Sequence, residues 1–370
     1  MGSKEIFYTF VKAGLWEKVI DNENFNDNLL NGEVQKLAEE QSVLGLLTAG
    51  VERLTAYNLA LTEKLTLLGK CQLIEQRNTA MNSFVAELMQ KMYEAGINAV
   101  LVKGQGIAQC YAIPQLRSSG DVDLLLDEEN YEKAKQFLIP LASHVDKEGD
   151  YSKHLGMTIN SWTVELHGSL RCGLSRRIDQ VLDEIRHDVL SGGNVRSWIN
   201  GNTHVSLPSA DNDAVYIFTH ILNHFYKGGI GLRQLCDWCR LLWTYRETID
   251  KALLEKRLLK MRLMSEWKGF AALAVGVLGM PVEAMPLYDS SPKWQRKAHK
   301  IENFIMMSGN FGHNRDSSYW VKYPYLVRKA CSMGRRVSDL IRHARIFPLD
   351  SLRFLPRIMY NGINAAMRGE

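Results

Sequence analysis

Ser119-Gly120-Asp121-Val122-Asp123-Leu124-Leu125-Leu126 constrains this chain more than any other stretch. It sets two carboxylates two residues apart in an otherwise apolar run. On a strand, residues i and i+2 project from the same face. Asp121 and Asp123 therefore point together, while Val122 and Leu124 pack on the other side. Like charges side by side repel, and one of them is expected to keep its proton unless a cation lies between. Solvated acids at a strand edge would be the plainer reading. Leu124 to Leu126 carry the strand into a core, however, where uncompensated carboxylates are costly. Oxygen-rich sites of this kind suit Mg2+ or Mn2+, often with phosphates completing the shell. The run asks for a metal, and the metal suggests phosphate chemistry.

Neighbouring segments extend the reading. Thr163–Leu170 alternates as a strand and puts Glu165 and His167 on one face, with Asn160-Ser161-Trp162 turning back to a strand over Leu155–Ile159. Glu165 is the expected third metal ligand, and His167 either shares the metal face or orients a ligand. Upstream, Asn98–Val102 reads as a buried strand, followed by Lys103-Gly104-Gln105-Gly106 and a short helix over Ile107–Tyr111. A strand running into glycines and then a helix exposes backbone N–H groups that attract phosphate, and Lys103 adds a charge; a structural turn is the alternative. It is not a Walker A loop. Arg117 and Ser119, just before the acidic strand, are either triphosphate contacts or, for Arg117, half of a structural ion pair. His220 and His224 share a helix face at zinc-like spacing, but no H-E-x-x-H surrounds them, so packing histidines are expected over zinc ligands; contact of these two, with Arg233 and Asp237 of the next helix, to a nucleotide across a domain cleft is a third reading. Cys236 and Cys239 form a C-x-x-C without a second pair and read as buried helix residues.

Around this centre the pattern is helical. Residues 1 to about 65 carry helical spacing, with an Asn-rich connection from Asn22 to Gly32. A long helix is predicted from about Thr66 to Ala95, stopped by Gly96. Asp127 reads as the N-cap of a helix to Leu138. From Arg176 onward helices dominate, apart from an extended piece at Thr203–Leu207 and loops near Tyr288–Pro292 and Gly309–Asp316. With 370 residues, 46% hydrophobic and 23% charged, two or three ordered domains are expected. No apolar run is long enough to span a membrane. Six dispersed cysteines and no leader pattern favour a reducing cytoplasm. Net charge is +4, yet residues 321–370 alone hold ten Lys/Arg against three Asp/Glu. That basic segment is either a solvated helical surface or an anion-binding face, with nucleic acid among its candidate partners.

Taken together, Lys103-Gly104, Arg117-Ser118-Ser119-Gly120-Asp121-Val122-Asp123 and Val164-Glu165-Leu166-His167 resemble the core of the DNA polymerase β-type nucleotidyltransferases. More narrowly, they resemble a bacterial branch of uncharacterised nucleotidyltransferases, whose helical portion is similar to the stretch holding His220, His224 and Gly231-Leu232-Arg233 to Asp237. Gln105 departs from the wider pattern, which usually has a small residue there. The resemblance implies an α+β fold: a small mixed sheet core over 81–207, between helical regions at 1–80 and 208–370. It implies transfer of a nucleotidyl group from an NTP, with ATP first in line, to an acceptor hydroxyl. Asp121 and Asp123 would hold one Mg2+ or Mn2+ on the triphosphate, and Asp121, Asp123 and Glu165 a second ion that lowers the acceptor hydroxyl's pKa; Lys103, Gly104, Gln105, Arg117 and Ser119 would meet the nucleotide. Phosphoryl transfer at the same metals, and a non-catalytic nucleotide- or nucleic-acid-binding module, are the alternatives. Acceptor, base preference and oligomeric state are not written in the sequence.

Overall fold

The computed structural model describes residues 2–21, 30, 32–55, 61–148, 153–310 and 324–367. Most of the Asn-rich connection and of the loop after Gly309 lies outside them. The architecture is α+β, with a small mixed sheet between helical regions, as expected.

Three helices open the chain: α1 (Ser3–Trp16), α2 (Gly32–Glu40) and α3 (Leu44–Val51). α1 and α3 touch backbone to backbone. A Cβ on Gly14 would fall 2.0 Å from the Leu46 carbonyl oxygen, and one on Gly50 1.9 Å from that of Phe10. Helix α4 (Leu61–Glu94) then runs without a break through residue 80, so the boundary expected there falls inside a helix. It ends at Gly96, whose φ of +71° suits a residue without a Cβ.

Five strands form the central sheet: β1 (Val100–Val102), β2 (Val122–Leu125), β3 (His144–Val145), β4 (His154–Ile159) and β5 (Trp162–His167). Their spatial order is β1-β2-β5-β4-β3, with β2 and β5 parallel and the other neighbours antiparallel. Asn160 and Ser161 close the β4–β5 hairpin, both at positive φ, as a two-residue turn whose twist matches that of the strands. Helix α6 (Glu128–Leu138), after the single turn α5 (Gly104–Ala108), starts at Asp127, whose side chain accepts from the Asn130 N–H. One sheet face, with Leu101, Val122, Leu124, Val164 and Leu166, packs on Met81, Phe84, Val85 and Leu88 of α4. Strand alternation then sends Asp123, Leu125, Glu165 and His167 to the opposite face.

That opposite face looks toward the C-terminal helices. After α7 (Arg176–Leu190) come β6 (Val195–Asn200) and β7 (Thr203–Pro208), an antiparallel hairpin. The sequence predicts the extended piece at Thr203–Leu207 but not its partner. Val195, Ser197 and Ile199 alternate outward on an exposed face and so leave no apolar signature of burial. Helices α8 (Ala210–Lys227) and α9 (Leu232–Thr244) follow, joined through Gly228 and Gly229. Phe218 stacks on Trp238, which meets Trp267 edge-on at 4.8 Å, and these rings anchor the helical core. Cys236 and Cys239 are fully buried in α9, and burial pushes both thiols up, as inert core residues.

Candidate active site

Strand register assembles the acidic cluster. Asp123 pairs with Val102 on one side and with Glu165 on the other, so the two carboxylates stand abreast on neighbouring strands. Asp121 lies just before β2 on the same side. One carboxylate oxygen from each of Asp121, Asp123 and Glu165 lies within 4.8 Å of the other two. Asp123 is 1% exposed, whereas Asp121 and Glu165 are half-buried and open to the cleft. The charge of Asp123, with burial, pushes the Asp121 carboxyl up. This is the repulsion that the D-x-D spacing predicts.

Cations of the chain already lean on the cluster. The Lys103 ammonium donates to Asp123 Oδ1 at 2.9 Å. Burial works against that charge, but Asp123, with Tyr216 and Asp121, together offset it and hold the ammonium pKa up. Lys103 sits at φ +58°, an uncommon conformation for a non-glycine residue. His167 Nε2 lies 2.7 Å from Asp123 Oδ1 and 3.4 Å from Glu165 Oε2; His154 Nε2 lies 3.0 Å from the same Glu165 oxygen. Burial disfavours the Glu165 charge. Hydrogen bonds from His154 and His167 and the charge of Lys103 overcome it and hold the carboxyl well below its usual range.

Helices α8 and α9 roof the cluster and close a cleft of about 260 Å³. Ile217, His220, Ile221 and His224 line it from α8; Arg233, Gln234 and Asp237 line it from α9. His220 and His224 bond each other, Nε2 to Nε2 at 3.1 Å. Burial and the Lys103 charge push both imidazoles down, His224 to about 4. Arg233 donates from Nη1 to the Ser118 carbonyl, while its buried Nε has no hydrogen-bond partner among the described residues. A Cβ on Gly120 would sit 3.5 Å from that guanidinium, so the arm borders the start of the acidic strand. A larger cleft, about 530 Å³, lies beyond the other end of α4 beside Tyr93 and His204 and contains none of these carboxylates.

The other residues singled out by sequence have varied placements. Gly104 borders the cleft, and a Cβ there would approach the Asp121 carbonyl oxygen at 3.2 Å. The helix begins at Gly104 and not at Ile107, so the Gly106 and Ile107 N–H groups already donate to the Lys103 carbonyl. Those two donors are therefore spent on the turn. Gln105 is 2% exposed and donates to Asn78 and Asn82 of α4, which draws its amide away from the carboxylates. The Ser119 hydroxyl accepts from Arg77 Nε. Arg117 takes the ion-pair course: Nε and Nη2 reach Asp237 at 2.7 and 2.8 Å, and the Tyr111 hydroxyl donates to the same carboxylate. Asn78 holds this loop by donating to the Gln115 and Arg117 carbonyls.

His154 is the residue that sequence reasoning misses. The sequence pattern starts the strand at Leu155, whereas β4 begins one residue earlier, where His154 pairs directly with His167. The alternation of His154 with Gly156 and Thr158 carries that signal. In the C-terminal helical region, Lys300, Arg342 and Arg345 surround a shallow cleft of about 450 Å³ together with Phe304, Met307 and Ile346.

A crystal structure of an antigenic nucleotidyltransferase-like protein from Paracoccidioides brasiliensis is similar over 54% of this chain and 93% of its own, at 14% identity and a TM-score of 0.32. No curated protein matches the sequence. Residues 30–279, more than half of the chain, match the family described as uncharacterised nucleotidyltransferase, and the protein belongs to that family.

Proposed function

We propose that this protein is a metal-dependent enzyme that transfers a nucleotidyl group from an NTP, with ATP as the first candidate, to an acceptor hydroxyl. The observation that carries the reading is the convergence of Asp121, Asp123 and Glu165 within 4.8 Å on one sheet face. An all-oxygen donor set of three acids fits Mg2+ or Mn2+. The raised Asp121 carboxyl marks charge repulsion that a cation would relieve. A divalent metal bound there supplies Lewis acidity toward the α-phosphoryl group and neutralises charge on the departing pyrophosphate.

The chain's own residues do the rest. Asp121, Asp123 and Glu165 hold and orient the metal. Lys103 and Arg233 face the cleft from opposite walls and offset the negative charge of the triphosphate. Ile107, Ile217 and Ile221 give the cleft an apolar lining that limits water. At about 260 Å³ the cleft is below the roughly 300–1,000 Å³ of a drug-sized ligand pocket. It suits the polyphosphate, with the base toward the rim. Arg117, spent on Asp237, acts by fixing the loop before Asp121. Among the described residues no helix is long and apolar enough to cross a membrane.

The test is incubation with ATP labelled at the α- or the γ-phosphorus, with Mg2+ or Mn2+ and cell extract as acceptor source. α-Label in a macromolecular or small-molecule product supports nucleotidyl transfer. γ-Label alone replaces it with phosphoryl transfer. No labelled product and no thermal shift with any NTP, together with tight association with another macromolecule, would favour a non-catalytic binding module.

A further inference from the structure

Two imidazoles stand beside the three acids, and the D-x-D pattern does not require them. His154 and His167 are a directly opposed cross-strand pair, so the backbone ladder sets their separation. Their ring centroids are 4.9 Å apart with planes tilted by 51°; both Nε2 atoms lie within 3.4 Å of Glu165 Oε2, and that of His167 also lies 2.7 Å from Asp123 Oδ1. The donor atoms of His154, Glu165 and His167 lie within 4.8 Å of one another. Ligands about 2.0–2.2 Å from one ion and roughly 90–110° apart stand about 3.0–3.5 Å from each other. The observed Nε2-to-Oε2 separations, 3.0 Å for His154 and 3.4 Å for His167, fall inside that window.

We propose that His154, His167 and Glu165 form a second cation site, adjoining the three-acid site through Glu165, that takes a first-row transition ion of the Mn2+-to-Zn2+ class in preference to Mg2+. Imidazole nitrogen is a poor ligand for Mg2+, which keeps water and oxygen donors, and a good one for the later divalent ions. A set of two imidazoles and one carboxylate also leaves open coordination positions, as in catalytic zinc centres. The site is half-open: the His154 side chain is 37% exposed and that of Glu165 24% exposed, so an ion has an entry path. The plainer alternative is that the imidazoles only hydrogen-bond the acids and hold them in place. The inference shares Glu165 with the reading above, and it does not depend on transfer chemistry.

The experiment uses full-length protein stripped with a chelator and loaded with Mn2+ in the absence of nucleotide. Pulsed EPR then asks whether bound Mn2+ couples to directly ligated ¹⁴N. Expected are ¹⁴N coupling in the wild type, retention of Mn2+ at the nitrogen site against an at least ~10-fold excess of Mg2+, and a similar result by Zn2+ titration. His154→Gln should remove part of the nitrogen coupling; its partial exposure makes it a mild change, whereas His167→Gln alters a buried position. Asp121→Asn should leave the coupling intact. Bound Mn2+ without ¹⁴N coupling, coupling unchanged in His154→Gln, or displacement by equimolar Mg2+ would each overturn the proposal. α-Label transfer by a protein without nitrogen coupling overturns this site alone. Nitrogen coupling without label transfer overturns the transferase reading alone.

Discussion

Arg117 and Asp237 are 120 residues apart in sequence and joined by two charge-assisted hydrogen bonds in the fold. Arg117 is 5% exposed and Asp237 6%. Removing one partner of a buried pair leaves the other charge uncompensated and typically costs about 3–5 kcal/mol. Asp237→Leu would also strip the Tyr111 hydroxyl of its acceptor, adding about 1 kcal/mol. Arg117→Met/Asp237→Leu together removes both charges and refills the space, so its cost should be within about 1–2 kcal/mol of wild type. The expectation is strong non-additivity: each single change is worse than the double. With a urea slope of about 3 kcal/mol/M, Arg117→Met shifts the unfolding midpoint down by roughly 1–1.7 M and Asp237→Leu by roughly 1.3–2 M. Trp238, adjacent to Asp237, gives a fluorescence signal close to the pair.

The same three proteins separate a structural arginine from a nucleotide ligand. If Arg117 positions the loop, the double variant keeps wild-type Mg-ATP affinity. Additive losses of stability, or an Arg117→Met variant of normal stability with weakened ATP binding, would refute the reasoning. Arg117 would then serve the triphosphate directly.

Other outcomes follow from the site and the packing. Asp123→Asn should lower transfer by at least ~100-fold, since about 3 kcal/mol or more of metal-dependent stabilisation is lost; circular dichroism should show the fold retained, and near-normal turnover would remove the metal reading. Gly50→Ala forces a Cβ to within 1.9 Å of the Phe10 carbonyl oxygen and should destabilise by about 1–3 kcal/mol or more, whereas Gly69→Ala in α4 meets nothing within 4 Å and should stabilise by roughly 0.5–1 kcal/mol; urea midpoints moving together would contradict the close α1–α3 approach. Burial and the charge of Lys103 hold His224 near 4 in the fold against an ordinary 6.5. Between those values the unfolded chain binds more protons, so stability should fall as pH drops from 6.5 toward 4. His224→Asn should flatten that limb, and an unchanged pH profile of the melting temperature would show that the imidazole is not held neutral.

Local geometry is legible in the chain itself. A two-residue period assigns each side chain to a face whatever the strand pairs with, so Asp121 and Asp123, and separately Glu165 and His167, group together without any tertiary contact. Asp127 and Gly96 likewise announce a helix start and stop, because capping acts over three or four residues. The β6 strand escapes because Val195 and Ile199 are exposed, and an unburied face leaves no apolar record. His154 escapes because a strand end is defined by its neighbour's ladder and not by its own residues.

The residues taken in order establish the chemistry on offer: a paired-acid strand, a second acidic strand and a lysine after a third. Long-range packing then assigns how those parts are spent. It places Asp123 abreast of Glu165 by parallel pairing, gives Arg117 to Asp237, turns Gln105 toward Asn78 and Asn82, and brings His154 and Arg233 to the cluster and its cleft. The difference is one of range. Face and cap are set by backbone geometry over a few residues, whereas the partner of a buried charge is set by which distant helix desolvates it.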